Sequence, residues 1–264
     1  MLLLITACVK QTDWDLPEEE LKQIVVDATL TNEFGRQAIH LSYPAGTLNE
    51  EPEPVQGAVV IVSDQDDDFI LDEDPEVPGR YWTDSTFIAL LNKNYTLQIF
   101  IGGNFISAQA SMVPGQFFSP LTYVKNNDND LYHIDFVASN FDPDNHAKWE
   151  VLIDWTMVQG YENADPDTCQ ARLLFYTLPT LDVSQIFAPE AEKISFPAGS
   201  VITQRRYSLT EDHAAYAREL LLETTWQGSM FSTANANVYS NLSSGGLGYF
   251  GVCFVTEVSL TVTP

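Results

Sequence analysis

Cations are scarce in this chain: 12 Lys and Arg stand against 37 Asp and Glu in 264 residues, for a formal net charge of −25. Phosphate neutralisation needs clustered basic side chains, so nucleic acid is excluded as a partner. Cysteine is rarer still, with three (Cys8, Cys169 and Cys253) and no C-x-x-C spacing, which argues against a structural zinc site. No stretch approaches the ~18 consecutive apolar residues of a membrane-spanning helix. There is also no H-E-x-x-H, no G-x-S-x-G and no repeat of the length that builds solenoids or propellers. What is abundant is apolar: 45% of residues are hydrophobic and 12% aromatic against 19% charged, so the acidity reflects missing cations and the chain can bury a real core. Disorder is excluded as its main state.

Period-two alternation dominates the first half. Ile24, Val26, Ala28 and Leu30 share one strand face, as do Ile39, Leu41 and Tyr43; Val59 and Ile61; Tyr95, Leu97, Ile99 and Ile101; and Ile106, Ala108, Ala110 and Met112. Gly102-Gly103-Asn104 reads as a tight hairpin turn between the last two strands. The segment Pro114 to Pro120 punctuates the pattern with prolines and a glycine, and strand candidates resume at 132–137, 149–155, 172–177, 201–207 and 254–262. One helix is expected near 210–224: Thr210 is a suitable N-cap, Glu211 and Asp212 suit the positive end of the helix dipole, and Tyr216, Ala217, Leu220 and Leu221 make an apolar stripe. The expected architecture is mainly β, with two β-sandwich domains of immunoglobulin or fibronectin type at 21–113 and 121–264. Residues 114–120 act as linker and the helix is inserted in the second domain.

The N-terminus reads as an address. Ile5-Thr6-Ala7-Cys8 has the order of a bacterial lipobox, in which small residues precede a cysteine that takes a diacylglycerol. Residues 1–7 are then a truncated lipoprotein signal peptide without a basic region, Cys8 is the lipidation site, and residues 8–20 form a tether. The bland reading is that Leu2 to Ala7 heads a first strand. With Cys8 acylated, Cys169 sits in a polar loop and Cys253 in an apolar strand pattern, unlike settings that argue against their pairing.

Constellations of chemical interest are few. Gly246-Leu247-Gly248-Tyr249-Phe250-Gly251 satisfies G-x-G-x-x-G, but a strand pattern follows it and 13 residues (264 − 251) cannot supply the rest of a dinucleotide fold. Asp64, Asp66 and Asp68 open like a calcium loop, yet Phe69 stands where the turn needs Gly and Pro75 where it needs Glu, so a solvated hairpin turn is the preferred reading. His40, His133, His146 and His213 have no metal-ligand spacing, and surface roles are expected for His40 and His213. Among the tryptophans, Trp149 and Trp155 share one strand face and are expected in the core, not on a sugar-stacking platform. No cofactor is expected.

Several of these pieces together resemble a family of Bacteroidota outer-membrane lipoproteins known as domain of unknown function 4249. The resemblance rests on Asp15-Leu16-Pro17; on Val55-Gln56-Gly57-Ala58-Val59-Val60-Ile61; on Pro78-Gly79-Arg80-Tyr81 leading to Tyr95-Thr96-Leu97; and on Asp142-Pro143 ahead of Trp149. Its most specific block is Ser240-Asn241-Leu242 with Gly245, Gly246, Leu247, Gly248, Tyr249, Phe250 and Gly251. These glycines read as structural, allowing a turn or close backbone contact before the final strand of the second domain. The family is commonly encoded beside a SusC-like TonB-dependent transporter. The resemblance therefore implies a non-enzymatic accessory of nutrient uptake, anchored in the outer membrane through acyl chains and exposed at the cell surface. The alternatives are a stand-alone surface binding protein or adhesin for cationic or carbohydrate ligands, and, third, a hydrolase.

Overall fold

The computed structural model describes residues 23–47, 50–181, 193–226, 238–243 and 245–264. Cys8, the signal segment 1–7 and the tether 8–20 lie outside the described residues.

The alternating strands of the first half appear where their periodicity puts them. They are β1 (Ile24–Thr31), β2 (Ala38–Ser42), β3 (Val59–Ser63), β4 (Asp68–Glu73), the short β5 (Arg80–Trp82), β6 (Asn94–Ile101) and β7 (Asn104–Ser111). β6 and β7 pair in register across the Gly102–Gly103 turn, both glycines having positive φ. Val59 and Ile61 share a face as their spacing predicts, and it is the outer one. Val60 and Val62 point into the core with no exposed surface, while Val59 is half exposed on the outside. The run Val59 to Val62 is apolar on both faces, so alternation could not say which face turns inward.

These strands belong to an eight-stranded sheet of order β14-β1-β2-β5-β4-β3-β6-β7, whose first member is β14 (Gly246–Cys253) from the far end of the chain. β14 pairs parallel with all of β1, from Ile24↔Gly246 to Thr31↔Cys253. The two edges of the sheet, β7 and β14, are then stitched by residues 240–243. The Ser243 amide donates to the Ser107 carbonyl at 2.8 Å and the Ser107 amide donates to Ser243 Oγ at 2.9 Å. The Asn241 carboxamide donates to the carbonyls of Gln109 (3.0 Å) and Phe250 (2.8 Å), and its oxygen accepts the Phe250 amide at 3.0 Å. The sheet is thus nearly closed and barrel-like, and it wraps a core that includes Leu30, Leu97, Ile99 and Phe250. Near-closure leaves little free strand edge for pairing with another chain.

The remaining strands form a four-stranded sheet, β11 (Gln170–Thr177), β10 (Ala147–Asp154), β13 (Val201–Ser208) and β15 (Val255–Thr261), and a three-stranded one, β12 (Phe196–Pro197), β9 (Leu131–Phe136) and β8 (Thr122–Lys125). A second core of Trp149, Val151, Ile153, Trp155 and Ile202 lies between them. Residues 114–120 carry no strand, as expected. The chain is nevertheless not divided cleanly there, because β14 returns to the first sheet and β15, one residue later, joins the second. The hand-over is pinned by Asn32 in the turn after β1, whose oxygen accepts the Val255 amide at 2.6 Å and whose nitrogen donates to the Val255 carbonyl at 3.3 Å. The architecture is therefore mainly β, one barrel-like sheet with smaller sheets beside it, and not the pair of self-contained sandwiches expected from strand spacing.

Gly248 is where the closing strand is most constrained. Its φ of +94° is in the region that favours glycine, and a Cβ there would lie 2.2 Å from the Val26 carbonyl oxygen on β1. Gly248→Ala is expected to destabilise the protein by about 3 kcal/mol or more, combining backbone strain with a clash against backbone that cannot move aside. Chemical denaturation checks this, and an unchanged midpoint would show that β14 does not hold its observed register.

Candidate functional site

The helix α1 (Glu211–Glu223) starts where β13 ends, and Thr210 caps it: its hydroxyl accepts the His213 amide at 3.3 Å. The buried face carries Ala214, Ala217, Leu221 and Leu222, rotated slightly from the expected stripe, so that Tyr216 turns towards β14. There Tyr249 stacks against both His213, with ring centroids 4.6 Å apart, and Tyr216, at 5.0 Å, and the latter two rings are 6.5 Å from each other, so the three form a cluster. Gly251 makes this possible, because a Cβ at that position would stand 2.5 Å from the His213 ring. The expectation of a surface role for His213 is thus corrected: its ring is enclosed between the helix and β14. His40 is exposed on β2, as expected.

Behind the stack, His213 Nδ1 is 3.7 Å from Cys253 Sγ. A nucleophilic dyad would need the thiol to lose its proton to the imidazole. Burial opposes that at both groups. It pushes His213 down to about 3, with the Lys148 charge adding to the effect, and pushes the Cys253 thiol up to about 12. Two neutral partners result, so the pair packs the seam and does not form a thiolate. Cys169 is also buried, in the second core, and neither cysteine is paired with the other.

Two grooves flank the stack. One, of about 650 Å³, is lined by Gln65, Asn94, Thr96, Gln109, Ser111, Thr210, Asp212 and Tyr249. Asn94↔Ser111 and Thr96↔Gln109 are cross-strand pairs, so amides and hydroxyls form two rungs on the outer face of the β6–β7 hairpin. The other, of about 320 Å³, is more apolar and opens between β1 and α1, over Val25, Tyr176, His213, Tyr216 and Tyr249. On the second sheet, Glu150 is buried and accepts from Arg172 Nε (2.5 Å), Tyr207 Oη (2.8 Å) and Arg205 Nη1 (3.1 Å). Burial alone would raise its carboxyl, but these donors hold it below its ordinary value, so it stays charged and fully occupied. Arg205 also pairs with Glu33 of the β1–β2 turn, tying the second sheet to the first.

The calcium-loop candidates do not converge. Asp64 Oδ1 accepts the amides of Asp66 and Asp67, closing a turn; Asp64 and Asp66 share Lys93 as their ion-pair partner; and Asp68 accepts from Ser63 Oγ. Among the described residues no three His, Cys, Asp or Glu side chains gather as a metal site. Trp149 and Trp155 are buried in the second core. The glycine-rich block falls on β14 and its approach, bringing Asn241, Gly246, Gly248, Tyr249, Phe250 and Gly251 to the strand that closes the barrel, with Gly245 in the turn before them. The single signal that could have revealed this closure was the density of glycine at 245, 246, 248 and 251, which marks close approach on several sides.

Compared with known families, residues 9–259 match domain of unknown function 4249. The chain belongs to this family. No curated protein matches it. The family motifs fall on joints of the fold. Tyr81 Oη, from Pro78-Gly79-Arg80-Tyr81, donates to the Val55 carbonyl at 2.8 Å and accepts the Ala58 amide at 3.1 Å, so it clamps the Val55-Gln56-Gly57-Ala58 segment. Arg80 and Trp82 close on Asp74, whose carboxyl is held well below the usual carboxylate range by the Trp82 indole, the Glu76 amide and Arg80. Asp142 caps its own turn by accepting the amides of Asp144 and Asn145.

His213 gives a pH test. Its folded value lies below its unfolded one near 6.5, so the unfolded chain binds a proton that the folded chain refuses. The stability this contributes is complete above pH 6.5 and is lost as pH falls towards 3. His213→Phe keeps a ring in the slot over Gly251 and is expected to flatten the loss of Tm between pH 7 and 5 relative to wild type. The carboxylates contribute alike to both proteins, so parallel curves would place the imidazole in water.

Proposed function

We propose that this protein is a non-enzymatic, lipid-anchored outer-membrane protein, exposed at the cell surface, that serves as accessory subunit of a SusC-like TonB-dependent transporter. The observation that carries this reading is the place of Cys8. The family match begins at residue 9, immediately behind a cysteine preceded by Ile5-Thr6-Ala7. Two or three acyl chains on Cys8 give the stable anchoring that a single chain does not. Fifteen residues (24 − 9) separate Cys8 from Ile24. At ~3.3–3.6 Å each they reach at most about 50 Å, enough to stand the barrel against a neighbour in the same membrane. The non-enzymatic part is supported by the neutral His213–Cys253 pair and by the saturated Glu150. The separate buried clusters inside the eight-stranded sheet and between the two smaller sheets support reading these as two sandwich-like bodies, the first completed by β14.

The test is metabolic labelling of the chain, expressed behind a complete lipoprotein signal peptide, with an alkynyl fatty acid. Wild type is expected to label and fractionate with the outer membrane, and Cys8→Ala to do neither; a Cys8→Ala protein that stays in the outer membrane would refute lipid anchoring. From mild-detergent extracts of the labelled membranes, a TonB-dependent transporter is expected at near one-to-one stoichiometry.

A stand-alone surface binding protein is the second reading, favoured by the 650 Å³ groove. Among the described residues lining it, Asp212 is the one charged side chain, which favours carbohydrate over cationic ligands. On this reading, Asn94→Ala/Gln109→Ala lowers binding on a neutral glycan array at least tenfold with unchanged Tm, whereas a wild-type protein silent on the array rejects it.

A further inference from the structure

The charges of this chain are distributed unevenly. Residues 94–124 and 224–256 contain no Asp, Glu, Lys or Arg, although 49 such residues (12 + 37) occur in the whole sequence. The first run contains β6 and β7, and the second contains β14 with the 240–243 segment that joins it to β7, so one wall of the barrel is uncharged. At one end of that wall, beside the Gly102–Gly103 turn, stand two aromatic rings, Phe100 and Phe105, tilted against each other with centroids 4.9 Å apart. They are 42% and 49% exposed, and Val59, paired with Phe100 on the neighbouring strand, is 50% exposed. Two phenylalanines on an uncharged hairpin tip and a valine on the strand beside it, all about half open to water, form a patch of the kind that marks an interaction surface.

The direction of the strands identifies what this tip meets. Gly246 pairs with Ile24, the first residue of β1, and approaches Ile106 so closely that a Cβ would lie 3.0 Å from its Cγ2. Four residues further along β14, Phe250 is bridged through Asn241 to Gln109. β14, and β1 parallel to it, therefore run alongside β7 in the same sense. The chain entering β1 at Ile24 comes from the side of Phe105 and the turn. We infer that the Phe100–Phe105 hairpin tip is a membrane-contacting surface that seats the barrel on uncharged lipid at the end from which its N-terminal segment leaves.

The inference rests on the lipid-anchor reading for its setting, since an anchor at Cys8 brings that end of the barrel to the bilayer. Aromatic rings are favoured at the headgroup boundary, and an uncharged hairpin enters it without desolvating an ion. A convex tip with two rings suits a fluid surface better than a rigid protein face, which needs about 800 Å² per partner. Glu53 lies at the same end, its carbonyl bonded to the Tyr43 amide just beyond β2, and Glu50 and Glu51 precede it. Anionic lipid is therefore repelled and a zwitterionic surface preferred.

The experiment imposes the anchor, so that its result is independent of whether Cys8 is acylated. The full chain carries Cys8→Ser and an N-terminal polyhistidine tag bound to nickel-chelating lipid in phosphatidylcholine vesicles. An environment-sensitive fluorophore is attached at Asn104→Cys beside the tip or, as control, at Ser85→Cys beyond the far end of β5; Cys169 and Cys253 are buried at 2% and 1% exposure and are spared. The fluorophore at 104 is expected to brighten at least threefold with a blue shift when the protein is bound, the one at 85 to stay as in water, and 20% phosphatidylglycerol to reduce the effect. Phe100→Ser/Phe105→Ser is expected to abolish it with Tm preserved. A dark fluorophore at 104 on vesicle-bound protein overturns the inference. So does brightening that grows with protein density on the vesicle, which would assign the patch to a second copy of the chain. Failure of acyl labelling at Cys8 would instead remove the anchor while leaving the affinity of the tip for lipid as measured.

Discussion

The fold depends on the strand that joins the barrel last along the chain. β14 fills the gap between β1 and β7, and until it does, β1 lacks its parallel partner and the core around Leu30 and Leu97 stays open on that side. Its pairing with β1 joins residues 222 positions apart (246 − 24), a separation at which loop-closure entropy is met long before the contacts that offset it. Parallel pairing demands such a crossover, and here the crossover is nearly the whole chain. The strand is also crowded on three sides. A Cβ at Gly246 would strike Leu242, one at Gly248 the Val26 carbonyl and one at Gly251 the His213 ring. Only a strand stripped of side chains at those points fits between β1, the 240–243 segment and the helix.

From this insertion the rest of the molecule takes its arrangement. After Cys253 the chain has a single residue, Phe254, in which to leave one sheet and join the other, and Asn32 holds Val255 by both its backbone groups at the moment of transfer. Arg205, reaching from β13 to Glu33 in the same turn, adds an ionic tie beside it. The two sheets are thus fastened by continuous backbone, by polar contacts to one turn and by a third buried cluster that includes Tyr207, Leu221, Cys253 and Val255, and α1 lies across the join with Tyr249 packed against both His213 and Tyr216. The grooves exist because a helix has been laid on a barrel wall that it does not fully cover. Their lining is inherited from whichever outward residues β6, β7 and β1 present there.

Much of this was legible in the sequence. Strands β1, β2, β6 and β7, the β6–β7 hairpin and the capped helix follow from local signals: clean alternation, paired glycines, and Thr210 ahead of two acids. β3 shows the limit of such signals, since Val59 to Val62 is apolar on both faces and only the partners of Val60 and Val62 decide which one is buried. β5, with three residues, and β12, with two, are too short to show a period. The destination of β14 was illegible for a different reason. Its residues are hydrophobic and glycine-rich, which fits a strand anywhere, and its partner in space is fixed by a register between distant segments that leaves no local trace. The same gap hid the environment of His213. A histidine in the first turn of an amphipathic helix reads as exposed unless one knows that Gly251, a glycine 38 positions on (251 − 213), has been set against its ring.

Where the family motifs fall bears on how function is to be sought. Tyr81 clamps Val55 to Ala58, Arg80 and Trp82 close on Asp74, Asp142 caps its own turn, and Asn241 and Gly248 complete the barrel. Each of these residues spends its hydrogen-bonding capacity or its missing side chain on holding the chain to itself. A polar group so engaged is unavailable to a ligand without a large penalty for leaving its partner unsatisfied. The side chains with free capacity lie elsewhere, on the outer rungs Asn94↔Ser111 and Thr96↔Gln109, and on the aromatic tip two rungs beyond them. They share a hairpin with no charge in a chain of net −25, so electrostatic attraction, the usual long-range guide for an acidic protein, contributes little there. Recognition at this wall has to come from shape, hydrogen bonding and apolar contact at short range. That suits a protein already held at its place of work by an anchor better than one that must find its partner by diffusion.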